Sequence, residues 1–166
     1  EAVDRLVKAA PAALTRAFLT NSGTEATESA IKLVRRATGR TGMIATHGGF
    51  HGRTLGAASI TSGEGYRVPF GPLVPGAKFV PFGDAAAAES AIDGDTGGII
   101  VEPVQGEGGV NVPPDGYLAA LREIADRRGV FLVLDEIQTG IGRTGPLFAC
   151  EREDVTPDIM LLGKCL

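Results

Sequence analysis

The sequence predicts an α/β protein with three layers (α/β/α), in which helices cover both faces of a mostly parallel sheet. Two observations favour this fold. Short apolar runs alternate along the chain with stretches of helical hydrophobic spacing, which implies crossover connections between parallel strands. The run at residues 130–134 is entirely apolar and partly β-branched, as is typical of a strand buried on both faces.

The first predicted elements are a short strand at residues 17–19 and a long helix after it. Residues 22–25 have the Ser-x-x-Glu form of a capping box, in which each side chain bonds a free backbone N–H, so a helix should begin at Ser22. Gly39 is placed to end this helix in a left-handed conformation. Between them, apolar side chains recur at helical spacing at Ala26, Ala30, Ile31, Leu33, Val34 and Ala37.

The rest of the chain predicts five more strands and two more helices. The strands are expected at residues 43–46, 78–82, 98–101, 130–134 and 159–162. Asp84 should cap an alanine-rich helix that extends to Ile92. A further amphipathic helix, closed by Gly129, is indicated by apolar residues at Tyr117, Leu118, Leu121, Ile124 and Ala125.

The composition narrows the class of protein. With 166 residues, 43% hydrophobic and 22% charged, the chain can bury one sizeable core, so a single domain is expected. The 16 basic and 20 acidic residues give a net charge of −4, which does not favour binding to nucleic acid or to a membrane surface. Cys150 and Cys165 lack a Cys-x-x-Cys pairing, which argues against zinc and favours reduced thiols in a cytoplasmic protein.

Polar residues follow five of the predicted strands at the point where each strand ends. In parallel sheets the ligand crevice lies beyond the carboxyl ends of the strands. We therefore expect a single site assembled from residues 21–24, residues 50–53, Glu102, Asp135 with Gln138, and Lys164.

Three of these features together suit pyridoxal phosphate (PLP). Residues 22–24 offer backbone N–H groups, hydroxyls and a helix dipole to a phosphate, although an ordinary capped helix has the same pattern. Asp135 follows an apolar run and requires a cation such as a protonated pyridine nitrogen; a helix cap or an ion pair with Arg143 is the alternative. Lys164 could form a Schiff base and then transfer a proton, or it could be solvated surface.

Other polar residues also allow two interpretations. Phe50 could lie on a bound ring or in the core, and Arg53 could bind a substrate carboxylate or form a surface ion pair. Glu102 and Glu107 resemble a glycosidase pair by composition only, because the sequence does not fix their separation. A metal site is not expected, since glycines disfavour a helix between the nearest candidate ligands, His47 and His51. Neither a dinucleotide nor an ATP fingerprint follows a strand.

Five segments resemble the class III (ω) aminotransferases, and within them the acetylornithine, ornithine and putrescine branch. The similarity is collinear over nearly the whole chain, and it implies the aspartate-aminotransferase-like fold (PLP fold type I) with PLP as cofactor. Residues 1–166 would then form the central part of the large domain, with an N-terminal segment and a small C-terminal domain outside this chain. The segments are Asn21-Ser-Gly-Thr-Glu-Ala26, Gly49-Phe-His-Gly-Arg-Thr54, Val101-Glu-Pro-Val-Gln-Gly-Glu-Gly-Gly109, Leu134-Asp-Glu-Ile-Gln-Thr-Gly-Ile-Gly-Arg-Thr-Gly145 and Pro157-Asp-Ile-Met-Leu-Leu-Gly-Lys164.

The resemblance also implies a role for each candidate cofactor residue. Phe50 would stack on the pyridine ring, Asp135 would pair with its nitrogen, Gln138 would bond its phenolic oxygen, and Lys164 would hold the cofactor covalently. The phosphate would be bound by Gly23 and Thr24, with Ser22 alongside.

The implied substrates are an ornithine-like amino donor and 2-oxoglutarate. Arg53 would bind a carboxylate of either, Glu107 matches the family's switch glutamate, which screens a second arginine when the donor's terminal amine is bound, and Glu102 would be a supporting residue. N-acetylornithine is the favoured donor, with ornithine or putrescine as alternatives, and the full-length protein would be a homodimer. A racemase or decarboxylase of the same fold, or a fragment that is inactive alone and only binds a phosphate ligand, remain alternatives.

Overall fold

A computed structural model describes residues 1–166 and contains one sheet with helices on both sides. The α-helices are α1 (Ala2–Ala9), α2 (Gly23–Thr38), α3 (Leu55–Ser59), α4 (Ala85–Ala91) and α5 (Tyr117–Arg128). The strands are β1 (Gly42–Thr46), β2 (Ala77–Val80), β3 (Thr96–Val101), β4 (Phe131–Asp135) and β5 (Ile159–Leu161). Short 3₁₀ turns lie at Glu64–Tyr66, Val68–Phe70 and Ala149–Glu153.

The five strands are all parallel, in the order β2-β1-β3-β4-β5. The register places Ile44 beside Ile99 and Ile99 beside Leu132. Because every strand runs the same way, the residues that follow the strands meet at one edge of the sheet. This arrangement is what the alternation of apolar runs and helices predicts.

Two apolar clusters, one on each face of the sheet, make the predicted three layers. On one face Ala30, Ile31 and Val34 of α2 pack with Ile100 and Val133. On the other face α4 and α5 pack on the alternate strand residues, including Ile99, Leu132 and Leu134. Successive residues of β3 and β4 therefore point to opposite clusters, as the period of two requires. The α/β/α prediction is confirmed.

Helix α2 begins and ends where the sequence predicts. The hydroxyl of Ser22 accepts a hydrogen bond from the Glu25 backbone N–H at 3.3 Å, and Gly39 closes the helix with a φ of 70°. The reciprocal half of the capping box is shifted by one residue, since the Glu25 carboxylate accepts from the N–H of Asn21 rather than Ser22. The start of α2 is thereby fixed next to the end of the sheet.

The predicted strand at residues 17–19 is wrong. The edge strands of the sheet are β2 and β5, and residues 17–19 pair with neither of them. Phe18 and Leu19 are therefore 80% and 70% exposed. Strand β2 ends at Val80, two residues earlier than predicted, because Pro81 has no N–H to continue the ladder. The sequence does not predict helices α1 and α3. Helix α1 buries none of its residues, and helix α3 is only five residues long. None of the helices combines the length and the apolar character that crossing a membrane requires.

Candidate active site

A cavity of about 360 Å³ opens at the carboxyl ends of the strands, a volume within the usual range for small-molecule sites. It brings together every predicted site residue except Ser22, whose hydroxyl instead caps α2. The cavity is lined by Gly23, Thr24, Phe50, His51, Gly52, Arg53, Glu102, Glu107, Asp135, Ile137, Gln138 and Lys164.

The first turn of α2 forms one wall. The backbone N–H groups of a first helical turn have no partner within the helix and lie at the positive end of its dipole, so this wall can accept an anion. The Thr24 and Thr54 hydroxyl oxygens are 2.8 Å apart and link this turn to the loop after β1. Gly52 has a φ of 132° and lies so close to Thr24 that a Cβ would collide with it, so both strain and space require glycine there.

Asp135, the last residue of β4, is only 3% exposed, as the sequence predicts for a carboxylate that follows a buried strand. Its Oδ2 lies 2.7 Å from Nδ1 of His51, and its Oδ1 accepts from the Ile137 N–H at 3.1 Å. Asp135 forms no ion pair with Arg143, whose guanidinium instead donates a hydrogen bond to the Cys165 sulfur at 2.7 Å. The carboxylate is therefore held by an imidazole on one side while it lines the cavity.

His51 also lines the cavity, although the sequence indicates it only as a candidate metal ligand. It is 2% exposed, and its Nε2 is buried without a hydrogen-bond partner. Its backbone is fixed at both ends, with Thr61 accepting from its N–H and Thr27 donating to its carbonyl oxygen, each at 2.9 Å. The partner carboxylate is 84 residues away, so no local spacing could have indicated the pair.

Glu102 follows β3 and is 5% exposed. Its two oxygens accept from the N–H groups of Phe50 at 2.9 Å and Gly106 at 3.1 Å. Burial raises the pKa of this carboxyl, and the neighbouring His51 partly opposes that shift. Glu102 thus joins two loops of the rim from beneath, which agrees with a supporting position.

Phe50 and Arg53 lie on the loop after β1 and share one neighbour, Tyr66. The Phe50 and Tyr66 rings are 5.2 Å apart at 70°, and Cζ of Arg53 is 5.2 Å from the centre of the Tyr66 ring. Tyr66 has no distinctive local signal in the sequence, and it too was missed.

Glu107 stands exposed at the tip of a small hairpin that reaches the cavity rim. Two backbone hydrogen bonds of 3.0 Å join Gln105 and Asn111 at its base. The buried Gln105 side chain also donates to the His47 carbonyl oxygen at 2.7 Å and accepts from the Asn111 amide at 2.9 Å. The hairpin is therefore tied to the loop after β1, which carries Phe50 and Arg53.

Lys164 lies just beyond β5 with a φ of 50°. Its exposed side chain donates a hydrogen bond to Oε1 of Gln138. The amine and the buried carboxylate of Asp135 line the same cavity rather than separate surfaces. An anion site, a buried acid and a primary amine around one cavity fit the phosphate, ring nitrogen and aldehyde of PLP, and the aromatic side chain of Phe50 fits its flat ring.

Comparison with known proteins identifies the family. All of residues 1–166 match the family model described as aminotransferase class-III. The chain is 56% identical over 166 residues to the acetylornithine aminotransferase of Methanopyrus kandleri. This match covers all of the present chain and 43% of that protein.

Solved structures show the same relationship. A transaminase from the marine bacterium Virgibacillus superposes with a TM-score of 0.90 at 30% identity, over 95% of this chain and 40% of that one. The ornithine aminotransferase of Toxoplasma gondii, described with partial occupancy of PLP at its active site, gives a TM-score of 0.83 at 39% identity, over 86% of this chain and 36% of that one.

The chain spans less than half the length of these relatives. The resemblance noted in the sequence is confirmed by the match over every residue, and the aspartate-aminotransferase-like α/β fold agrees with it. The chain belongs to the class-III aminotransferase family.

Proposed function

We propose that the protein to which this chain belongs is a PLP-dependent aminotransferase that moves the terminal amino group of an ornithine-like donor to 2-oxoglutarate. One observation carries the proposal. Lys164, Asp135 and the first turn of α2 come from widely separated parts of the sequence and line a single cavity. N-acetylornithine is the favoured donor, because the 56% identical relative is named an acetylornithine aminotransferase.

The cofactor would be held at three points. The N–H groups of Gly23 and Thr24 would bind its phosphate, Asp135 would pair with its ring nitrogen, and Lys164 would attach to it covalently. Phe50 would cover one ring face and Gln138, which already accepts from the Lys164 amine, would bond the phenolic oxygen. Ser22 would act indirectly, by fixing the helix start.

The bound cofactor would supply an electron sink for the negative charge that develops when a substrate C–H bond loses its proton. Asp135 would favour that sink by keeping a positive charge on the ring nitrogen, and its bond to His51 would fix the carboxylate in place. Once the donor amine has displaced it, the Lys164 amine would take up the proton that leaves the substrate carbon and deliver it to the cofactor. The donor would leave as an aldehyde, and 2-oxoglutarate would leave as glutamate.

Substrate recognition would use the exposed rim. Arg53 makes no ion pair within this chain, so its guanidinium is available for a bidentate bond to a carboxylate of the donor or of 2-oxoglutarate. Glu107 would act on the same rim as the switch glutamate, and Glu102 would hold the loops beneath both.

We further propose that residues 1–166 are the central part of the PLP-binding large domain and that the full-length protein is a cytoplasmic homodimer. The chain spans 43% of the length of its acetylornithine aminotransferase relative, which supports its assignment to one part of a larger protein. The two free thiols, Cys150 and Cys165, support a reducing compartment.

The test uses the full-length protein, 2-oxoglutarate and N-acetylornithine labelled at its terminal nitrogen, with labelled glutamate measured as product. Wild type should form glutamate, and Lys164→Ala should reduce turnover to background and remove the visible absorbance band of the bound cofactor. Lys32→Ala, which removes an exposed lysine of α2 far along the helix from the site, is the matched control and should retain turnover. Normal turnover in Lys164→Ala would refute the assignment.

Donor choice has its own test. Steady-state rates with N-acetylornithine, ornithine and putrescine should rank the acetylated donor first, as the name of the 56% identical relative suggests, and putrescine last, because it has no carboxylate for Arg53. A clear preference for putrescine would reverse this order. Consumption of the donor without glutamate formation would instead indicate the racemase or decarboxylase alternative.

A further inference from the structure

Tyr66 is the one side chain that contacts both an aromatic and a cationic residue of the cavity. It belongs to the 3₁₀ turn Glu64–Tyr66, which is outside the cavity lining and outside every segment of the family resemblance. Its ring and the Phe50 ring are 5.2 Å apart at 70° in an edge-to-face arrangement, and the guanidinium of Arg53 lies over the Tyr66 ring at 5.2 Å. Edge-to-face aromatic contacts and cation–π contacts are both attractive at these separations.

The backbone beneath Tyr66 is shaped to receive its ring. A Cβ added at Gly63 would lie 2.9 Å from Cδ2 and 3.3 Å from Cε2 of Tyr66. The ring therefore packs directly on the Gly63 backbone, and any larger residue at position 63 would displace it. The N–H of Tyr66 also donates to the Gly63 carbonyl oxygen at 3.0 Å, which closes the turn.

The contact with Arg53 has a chemical consequence. A guanidinium that lies over an aromatic face uses no N–H hydrogen bond to an acid in that contact, so its donors stay free to bind a carboxylate through two parallel hydrogen bonds. Arg53 is exposed and forms no ion pair in this chain, so a flexible side chain is restrained by the ring rather than by a competing acid. Restraint before binding reduces the entropy that binding must overcome.

We infer that Tyr66 is a positioning residue for carboxylate recognition: it aligns the Arg53 guanidinium for the substrate carboxylate while bracing Phe50. This inference rests on the proposed function, in which Arg53 binds that carboxylate. It predicts that loss of the ring weakens binding of dicarboxylates much more than it slows the chemical step.

The experiment uses full-length holoenzyme and two readouts, the KM and kcat for 2-oxoglutarate and the inhibition constant of glutarate, a dicarboxylate that cannot react. Tyr66→Leu should raise the KM and the glutarate inhibition constant together by about 2- to 5-fold, the size expected for a cation–π contact at an exposed site. The kcat should change by less than about twofold. Tyr66→Phe keeps the ring and should restore both constants.

Two further variants separate positioning from general damage. Gly63→Ala should displace the ring and shift both constants in the same direction as Tyr66→Leu. Phe70→Leu removes another exposed aromatic of the same loop, 59% exposed and paired with no ring or cation, and should leave both constants unchanged.

The outcomes distinguish this inference from the function on which it rests. If wild type forms no glutamate, the proposed function fails. If wild type is active and Tyr66→Leu and Gly63→Ala bind glutarate as tightly as wild type, the role of Tyr66 is overturned. A fall in kcat with unchanged KM, or a failure of Tyr66→Phe to restore binding, also overturns it.

Discussion

Asp135 and Glu136 are adjacent acids with nearly equal burial, 3% and 1% exposed, and opposite surroundings. Asp135 faces the cavity, where an imidazole and one backbone N–H hold it. Glu136 points away, into the protein. It accepts hydrogen bonds from the Thr139 hydroxyl at 2.8 Å and from the N–H groups of Ala149 and Cys150 at 2.8 and 2.9 Å.

The comparison shows that burial of a carboxylate does not by itself indicate a reactive site. The oxygens of Glu136 accept from three neutral donors, two of them in the turn at Ala149–Glu153, so its charge stabilises the local fold. The oxygens of Asp135 keep capacity toward the cavity, and its neighbour His51 has a second nitrogen with no partner. The first acid should therefore matter for turnover and the second for stability.

Asp135→Asn is the change with the largest expected effect. Loss of the charge that we propose pairs with the ring nitrogen should lower kcat by about 10²- to 10³-fold, the range for loss of one preorganised electrostatic contact. The urea unfolding midpoint should fall only modestly, because asparagine can keep one of the two hydrogen bonds. Steady-state kinetics and urea titrations of the full-length protein would measure both effects. A variant with normal kcat would contradict a role for Asp135 in turnover.

Glu136→Gln should give the converse result. The new amide group must face a backbone N–H, so one buried donor is left unsatisfied and the free energy of unfolding should fall by about 2–3 kcal/mol. The kcat of the folded protein should stay within a few-fold of wild type. A large loss of kcat at unchanged stability would show that the distinction between the two acids is false.

His51→Leu tests what holds Asp135 in place. Removal of a charge-assisted hydrogen bond of 2.7 Å should lower kcat about tenfold, since the carboxylate loses its fixed orientation. His47→Leu is the matched control, because His47 is exposed, contacts Phe79 at 5.9 Å and does not line the cavity. Equal losses in both variants would contradict a specific role for His51.

The smallest expected effect concerns Cys150, whose backbone N–H donates to the Glu136 carboxylate. Burial, followed by the nearby Glu136, raises the pKa of this thiol from 9.0 to about 12. Between pH 9 and about 12, the Cys150 thiol therefore keeps its proton in the folded protein and loses it in the unfolded chain. The resulting stability is complete below pH 9 and is lost as the pH rises toward about 12.

Urea midpoints between pH 8 and 11 would measure this loss, and Cys150→Ala should reduce the pH dependence. Native protein treated with iodoacetamide at pH 8 should be modified at exposed Cys165 and not at Cys150. Modification of Cys150 at the same rate would contradict its burial.

The sequence predicted what depends on local pattern. The five observed strands, the two ends of α2 and the cap at Asp84 follow from apolar periodicity and from side chains that bond nearby backbone. The convergence of the strand ends follows from the parallel topology. Residues 17–19 failed because an apolar run predicts a strand only where a neighbouring strand exists to pair with it.

Long-range side-chain contacts could not be predicted. His51 meets an acid 84 residues away, Gln105 ties the Glu107 hairpin to a carbonyl 58 residues away, and Tyr66 reaches its partners from a turn with no motif of its own. These contacts are set by how the loops pack over the sheet, and no spacing along the chain encodes them. The Ser22 hydroxyl caps α2, and the sequence cannot separate this role from phosphate binding, because a cap and an anion site share one sequence pattern.

Trapping the cofactor tests most directly whether the cavity joins the Lys164 amine and the Asp135 carboxylate in one PLP site. Full-length protein loaded with PLP would be reduced with borohydride, digested and analysed by mass spectrometry. The cavity predicts one phosphopyridoxyl group per chain on Lys164, with binding weakened in Asp135→Asn. A group on another lysine, or no stable modification in wild type, would contradict the shared site.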